Sequence, residues 1–200
     1  MGRASKQGMI LDTAERLFEE QGYVATGVSQ ITARADVATM TLYNNFPTKD
    51  ALIVAVLDRR SEAFLARLCR QIEKAGSEPV MRILAIYDAV DQWIRCELKT
   101  SAGFAGCLFL SAAAEFKSVD HPAHEAAVKH KQAITELFRL ELLKLKCKRA
   151  VELARTLQLI LDGSITQAQL LQDPASVKRA RNIARQFVIS KIASHQNAAY

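Results

Sequence analysis

Apolar side chains recur at intervals of three and four along most of the chain, the spacing that puts them on one side of a helix. Met9, Ile10, Ala14, Leu17 and Phe18 predict a helix over 5–21, with Gly22 as a left-handed stop and Tyr23-Val24 folding back onto its apolar face. Val28, Ile31, Thr32 and Ala35 form a second short stripe, and Val37 follows a sharp turn. Leu42, Tyr43 and Phe46 form a third, which Pro47 ends because proline cannot continue a helix. Thr48 then reads as the N-cap of a long helix to about Ala75, broken by Gly76-Ser77. Ser77-Glu78-Pro79 opens a fifth helix through Ile83, Ile86, Tyr87, Val90 and Trp93-Ile94. After a loop-like stretch at 100–106 come a short helix at 107–116 and a long one from Asp120-His121-Pro122 to about Lys146. Two more follow, one over 148–171 and one capped by Asp173-Pro174. The pattern predicts an all-α chain of about nine helices: three short N-terminal ones, then a larger helical part.

Composition sharpens this picture by exclusion. Half of the 200 residues are apolar, enough for one large core or two smaller ones, and four Pro with eight Gly favour helix over sheet. No run of about 18 uncharged apolar residues occurs, so no membrane partner is expected. The N-terminal residues lack the apolar core of a signal peptide, and Lys6 stands where a myristoylation signal wants a hydroxyl. Cys69, Cys96, Cys107 and Cys147 are widely spaced, which fits a reducing cytoplasm. Net charge is +6, but residues 1–55 hold five Lys/Arg against six Asp/Glu, so the positive excess lies in the rest of the chain. Bulk charge therefore gives no support to a nucleic-acid contact near the N-terminus.

The chemistry of residues 27–49 does give support. In a helix-turn-helix, the first helix braces the second, whose N-terminal side chains enter the major groove. Ile31, Ala35, Val37 and Leu42 are the apolar pins for such a pair. The DNA-facing set is then Val28 and Ser29 on the first helix and Thr39, Met40, Thr41, Asn44 and Asn45 on the second. Thr and Asn carry groups suited to base edges and phosphates. Tyr43 offers a hydroxyl to phosphate, and Lys49 adds charge at the start of the following helix. Periodicity alone is equally satisfied by a small helical core.

The residues resemble one family as a set. Ala14, Leu17 and Phe18, Gly22-Tyr23, Ile31, Ala35 and Val37 lead into the segment TLYNNFPTKDAL at 41–52, and their order and spacing are similar to the DNA-binding domain of TetR-type bacterial transcriptional regulators. The resemblance covers residues 8–56. It implies an N-terminal helix-turn-helix domain, here 1–50, and an effector-binding and dimerisation domain, 51–200. It implies a homodimer on a near-palindromic double-stranded operator, a small-molecule effector, no cofactor and no catalysis. Three positions depart from the family pattern: Gly27 where a capping Thr is common, Asp36 for the turn glycine, and Ala38 for a capping Ser.

Beyond residue 56 the resemblance is looser. By residue type, Tyr87, Trp93, Phe104, Cys107, Phe109, Glu115, Phe116 and His130 are the candidates for an effector pocket, with plain packing as the alternative for each. The broad stripes of the last two helices point to a helix-pair interface through Leu157, Ile160, Leu161, Ile165, Ala168, Ile183 and Phe187. His121 and His124 are three apart, but Pro122 places His121 at or before the helix start, so no metal site is assigned. The rival class is an all-α carrier or enzyme, for which Glu115 with His130 is the one acid–base pair to nominate; no hydrolase triad, P-loop or dinucleotide fingerprint is present.

Overall fold

The first helix starts where a serine can cap it. The Ser5 hydroxyl accepts the Gly8 N–H at 3.1 Å, and α1 runs over Lys6–Gln21. The computed structural model describes residues 5–97 and 104–197, without the side chains of 193–197. Within these residues α2 (Val28–Arg34), α3 (Thr39–Asn45), α4 (Lys49–Lys74), α5 (Pro79–Glu97), α6 (Leu108–Glu115), α7 (Pro122–Lys144), α8 (Ala150–Leu171) and α9 (Ala175–Asn197) follow in order. The described residues are thus all-α, with ends within a few residues of those the periodicity predicts. Most of the loop-like stretch at 100–106, and with it part of the segment between Cys96 and Cys107, lies outside the described residues.

Local chemistry explains the boundaries. Thr48 caps α4 through the Ala51 N–H at 3.0 Å, and Asp173 caps α9 through the Ala175 N–H at 2.8 Å. Arg179 beside Asp173 holds that carboxyl below its ordinary range, so the cap stays charged. Lys146 (φ 58°) and Gln172 (φ 49°) end α7 and α8 in left-handed conformations without glycine. Gly22 also has positive φ (87°), but its ψ of 171° puts it in the extended mirror region rather than in the left-handed helix expected for it.

Packing divides the chain into two units: residues up to Glu62 with Cys107–His130, and Ala63–Gly106 with Lys131 onward. In the first unit, Ile10, Leu17, Phe18, Tyr23, Ile31, Leu42, Leu52 and Ile53 are buried. Met9 and Val24, expected on the apolar side, are instead exposed. Arg59 pairs with Asp12 and Glu15, and Arg60 with Glu15 and Glu19, so α4 neutralises three of the acids on α1.

In the second unit α9 packs on both α5 and α8. α5 is the central element, with Ile83 through Tyr87, Ala89, Val90, Trp93 and Ile94 all buried. Arg82 donates to the carbonyls of Ile72 and Gly76, closing the end of α4, and pairs with the buried Glu141. This core corrects the interface expected from the apolar stripes. Leu157, Leu161, Ile165 and Ala168 are buried within the chain, because the face of α8 that carries them meets the chain's own helices, and they have no surface for a partner. Ile160 and Phe187 are half-buried and Ile183 is exposed. The open apolar surface of α8 and α9 includes Leu159, Leu170, Leu171, Ile183 and Ile189.

Candidate nucleic-acid interface

Seven residues make α3, and one of them anchors it: Leu42 is fully buried, with Phe46 just beyond the helix end also in the core. The turn before it depends on Asp36, which adopts φ 51°, while the Val37 N–H bonds back to the Thr32 carbonyl at 3.1 Å. Asp tolerates this left-handed conformation better than most side chains, so the turn forms without the family's glycine. Ala38 is extended (φ −67°, ψ 145°) and occupies the N-cap position with no side-chain bond, which makes Thr39 the first helical residue and not a substitute cap. Gly27 holds the same position ahead of α2. Thr26 does not replace it, because its hydroxyl is buried and donates to the Gly22 carbonyl at 2.6 Å.

Helical spacing sorts the expected contacts. Thr39, Met40, Tyr43 and Asn44 are all exposed and, at i, i+1, i+4 and i+5, share one side of α3 opposite Leu42. Thr41 and Asn45 lie around the flank: Thr41 is half-buried, and the Asn45 amide donates to the Thr41 carbonyl at 2.7 Å. On α2, Ser29 is exposed and Val28 half-buried. Lys49 opens α4, and its ammonium donates to the Val24 carbonyl at 3.3 Å.

The turn after α1 is fixed by a residue that sequence reasoning placed elsewhere. Glu115, at the end of α6, accepts the backbone N–H groups of Tyr23 (3.1 Å) and Val24 (2.8 Å). Tyr23 in turn donates its hydroxyl to the Leu108 carbonyl at 3.0 Å, and burial raises its pKa so far that it remains a donor at any physiological pH. Glycine is favoured at position 22 by its φ of 87°, and a Cβ there would come within 2.8 Å of the Glu115 carboxylate, which would have to shift. The one sequence signal for this seat was the glycine itself.

The eight pocket candidates do not gather in one unit. Cys107, Phe109, Glu115, Phe116 and His130 belong to the first, and Tyr87, Trp93 and Phe104 to the second. Most have structural work. His130 stacks on Phe109 with ring centres 3.6 Å apart and shares a 2.8 Å hydrogen bond with Ser61. Phe116 stacks on His121. The Tyr87 hydroxyl donates to the Leu157 carbonyl at 2.7 Å, and Trp93 meets Phe64 and Phe104 edge-on. Glu115 is committed to backbone N–H groups, so the acid–base role nominated for it with His130 is corrected to a structural one.

Comparison with known proteins decides what the exposed face of α3 belongs to. Residues 10–56 match the family described as bacterial regulatory proteins, tetR family, and residues 79–184 match the tetracyclin repressor-like C-terminal domain. The chain belongs to the TetR family. It is therefore a DNA-binding regulator of transcription, and its relatives are regulators, not enzymes. The HTH-type transcriptional regulator YjdC of Escherichia coli is 22% identical over 90% of this chain and 91% of its own length. The HTH-type transcriptional repressor NemR of Escherichia coli is 28% identical over 64% of this chain and 62% of its own. A TetR-family transcriptional regulator from Streptomyces coelicolor, solved by crystallography, aligns with TM-score 0.79 at 26% identity, covering 94% of this chain and 95% of that one. No described helix of this TetR-family chain is long and apolar enough to cross a membrane.

Proposed function

We propose that this regulator is a cytoplasmic homodimeric repressor of a near-palindromic operator, released by a small-molecule effector. The observation that carries the reading is the exposed side of α3, where Thr39, Met40, Tyr43 and Asn44 stand together with no competing role in the core. Thr39 and Asn44 take base edges, Met40 a thymine methyl and Tyr43 a phosphate. Ser29 with Val28, and Lys49, take the flanking backbone. Thr41 and Asn45 contribute from the flank. The reading head is residues 1–50, and residues 51–200 serve the effector and the dimer.

The partner copy packs on the open side of α8 and α9. Ile160, Gly163, Ser164, Gln167, Ala180 and Ile183 line a groove there, which suits a second helix pair. Inside the second unit, Gln158 offers a polar anchor for an effector: its amide nitrogen and oxygen are both buried and have no hydrogen-bonding partner among the described residues. Effector binding releases DNA only as far as it prefers the dimer whose recognition helices miss successive major grooves.

Fluorescence polarisation with duplexes tiled across the intergenic DNA beside the gene tests this reading. Wild-type protein binds a near-palindrome, and Tyr43→Phe combined with Lys49→Ala weakens it about tenfold or more. Failure to bind any such duplex at low salt sinks the reading. Because residues 1–55 carry a net charge of −1, the salt dependence is shallower than that of a strongly basic binder.

A further inference from the structure

We infer that Glu115 is a positioning residue for operator binding, acting through the backbone of Val24 on the ammonium of Lys49. The inference rests on Lys49 as a phosphate contact and adds a residue 66 positions away in sequence to the DNA-reading machinery.

Three hydrogen bonds form the link. Glu115 Oε2 accepts the Val24 N–H at 2.8 Å, Oε1 accepts the Tyr23 N–H at 3.1 Å, and the Val24 carbonyl accepts from Lys49 Nζ at 3.3 Å. Val24 therefore receives the carboxylate on one side of its backbone and holds the lysine with the other. The residue is 65% exposed, so the backbone bonds, not core packing of the side chain, orient it. The seat is shaped for the carboxylate: Gly22 has φ 87°, and a Cβ there would overlap Glu115 Oε1. The other end of α6 is fastened to the same turn through the Tyr23 hydroxyl and the Leu108 carbonyl, which keeps Glu115 in register with it. Charge-assisted bonds from a carboxylate to two adjacent N–H groups are stronger and more directional than neutral ones. Lys49 is half-buried at the first position of α4, and the Val24 carbonyl is the acceptor toward which its ammonium is directed.

The sign of the effect separates positioning from plain electrostatics. Glu115 is a negative charge in a unit that binds a polyanion. If charge were its only influence, removing it would strengthen DNA binding. If it positions Lys49, removing it weakens binding despite the gain in net charge.

The test uses the full-length protein and the tightest-binding duplex from the tiled intergenic set. Glu115→Ala is expected to weaken binding about tenfold, and Glu115→Gln by less, because an amide oxygen can accept one of the two N–H groups and its NH₂ none. The slope of log affinity against log salt should fall as it does in Lys49→Ala, by about 0.9 for each phosphate no longer neutralised. The double variant should bind no more weakly than Lys49→Ala alone, the signature of two residues acting through one contact. Melting curves for each variant keep loss of fold apart from loss of position. Amide exchange without DNA supplies an independent arm: the Tyr23 and Val24 amides should be protected in the wild type and exposed in Glu115→Ala. Unchanged or tighter DNA binding by Glu115→Ala overturns the inference, as do additive losses in the double variant or amides indifferent to Glu115. Absence of DNA binding by the wild type strikes instead at the reading of the head, and the amide arm still decides the link.

Discussion

Helices α3 and α5 use their side chains in opposite ways. α3 buries one residue of seven, and α5 buries nine of nineteen. The reading helix is held by what surrounds it: the Asp36 turn before it, Phe46 after it, and α1 and α2 beneath Leu42. The central helix of the second unit is held by its own surface. An element that must meet a changing partner keeps its side chains free and borrows its position, whereas an element that must not move commits about half of them to the core.

The sharpest way to break that contrast is to remove one anchor from each helix. Leu42→Ala and Ile86→Ala each delete a fully buried side chain and should each cost about 3 kcal/mol in urea unfolding. Their effects on function should differ. Leu42→Ala loses DNA binding even at temperatures where the protein remains folded, while Ile86→Ala binds normally per folded molecule. Equal binding by the two variants would remove the distinction. Gly22→Ala should cost about 2 kcal/mol, combining positive-φ strain with displacement of Glu115. Its melting temperature should fall, and DNA binding should fall with it. The smallest effect is expected at Gly163, which is exposed in α8 with no atom within 4 Å of where a Cβ would lie. Within one chain, Gly163→Ala gains about 1 kcal/mol of helix stability. Where a partner helix fills the α8–α9 groove, the same methyl weakens self-association, which sedimentation at micromolar concentration reads directly. A more stable chain with an unchanged dimer would move the interface away from Gly163.

The same contrast explains what the sequence made legible. Leu42, Pro47 and Thr48 act over a few residues, so their spacing disclosed α3, its end and the cap of α4. The exposed face of α3 followed from helical geometry, and what the structure added was its division into a front, with Tyr43 and Asn44, and a flank, with Thr41 and Asn45. In the second unit the stripe at Leu157, Leu161, Ile165 and Ala168 was visible, but an apolar stripe does not say whether its own chain or another covers it. Aromatic type likewise does not by itself separate ligand contacts from packing, as at Tyr87 and Trp93. Glu115 was out of reach for a different reason. Its partners are backbone N–H groups, which carry no residue identity, and they lie more than 90 positions away.

The paired acids of α1 bear on kinetics as well as on affinity. They are tied to Arg59 and Arg60, and the head as a whole has no surplus of positive charge. Attraction to random DNA is set mainly by the number of phosphates a surface neutralises. A head built this way is expected to gain little from an arbitrary stretch of duplex, which predicts brief visits to random DNA and short hops with little long sliding. Its residence at the operator is then governed by how well a handful of bonds fit, and it lengthens or shortens with the placement of single side chains.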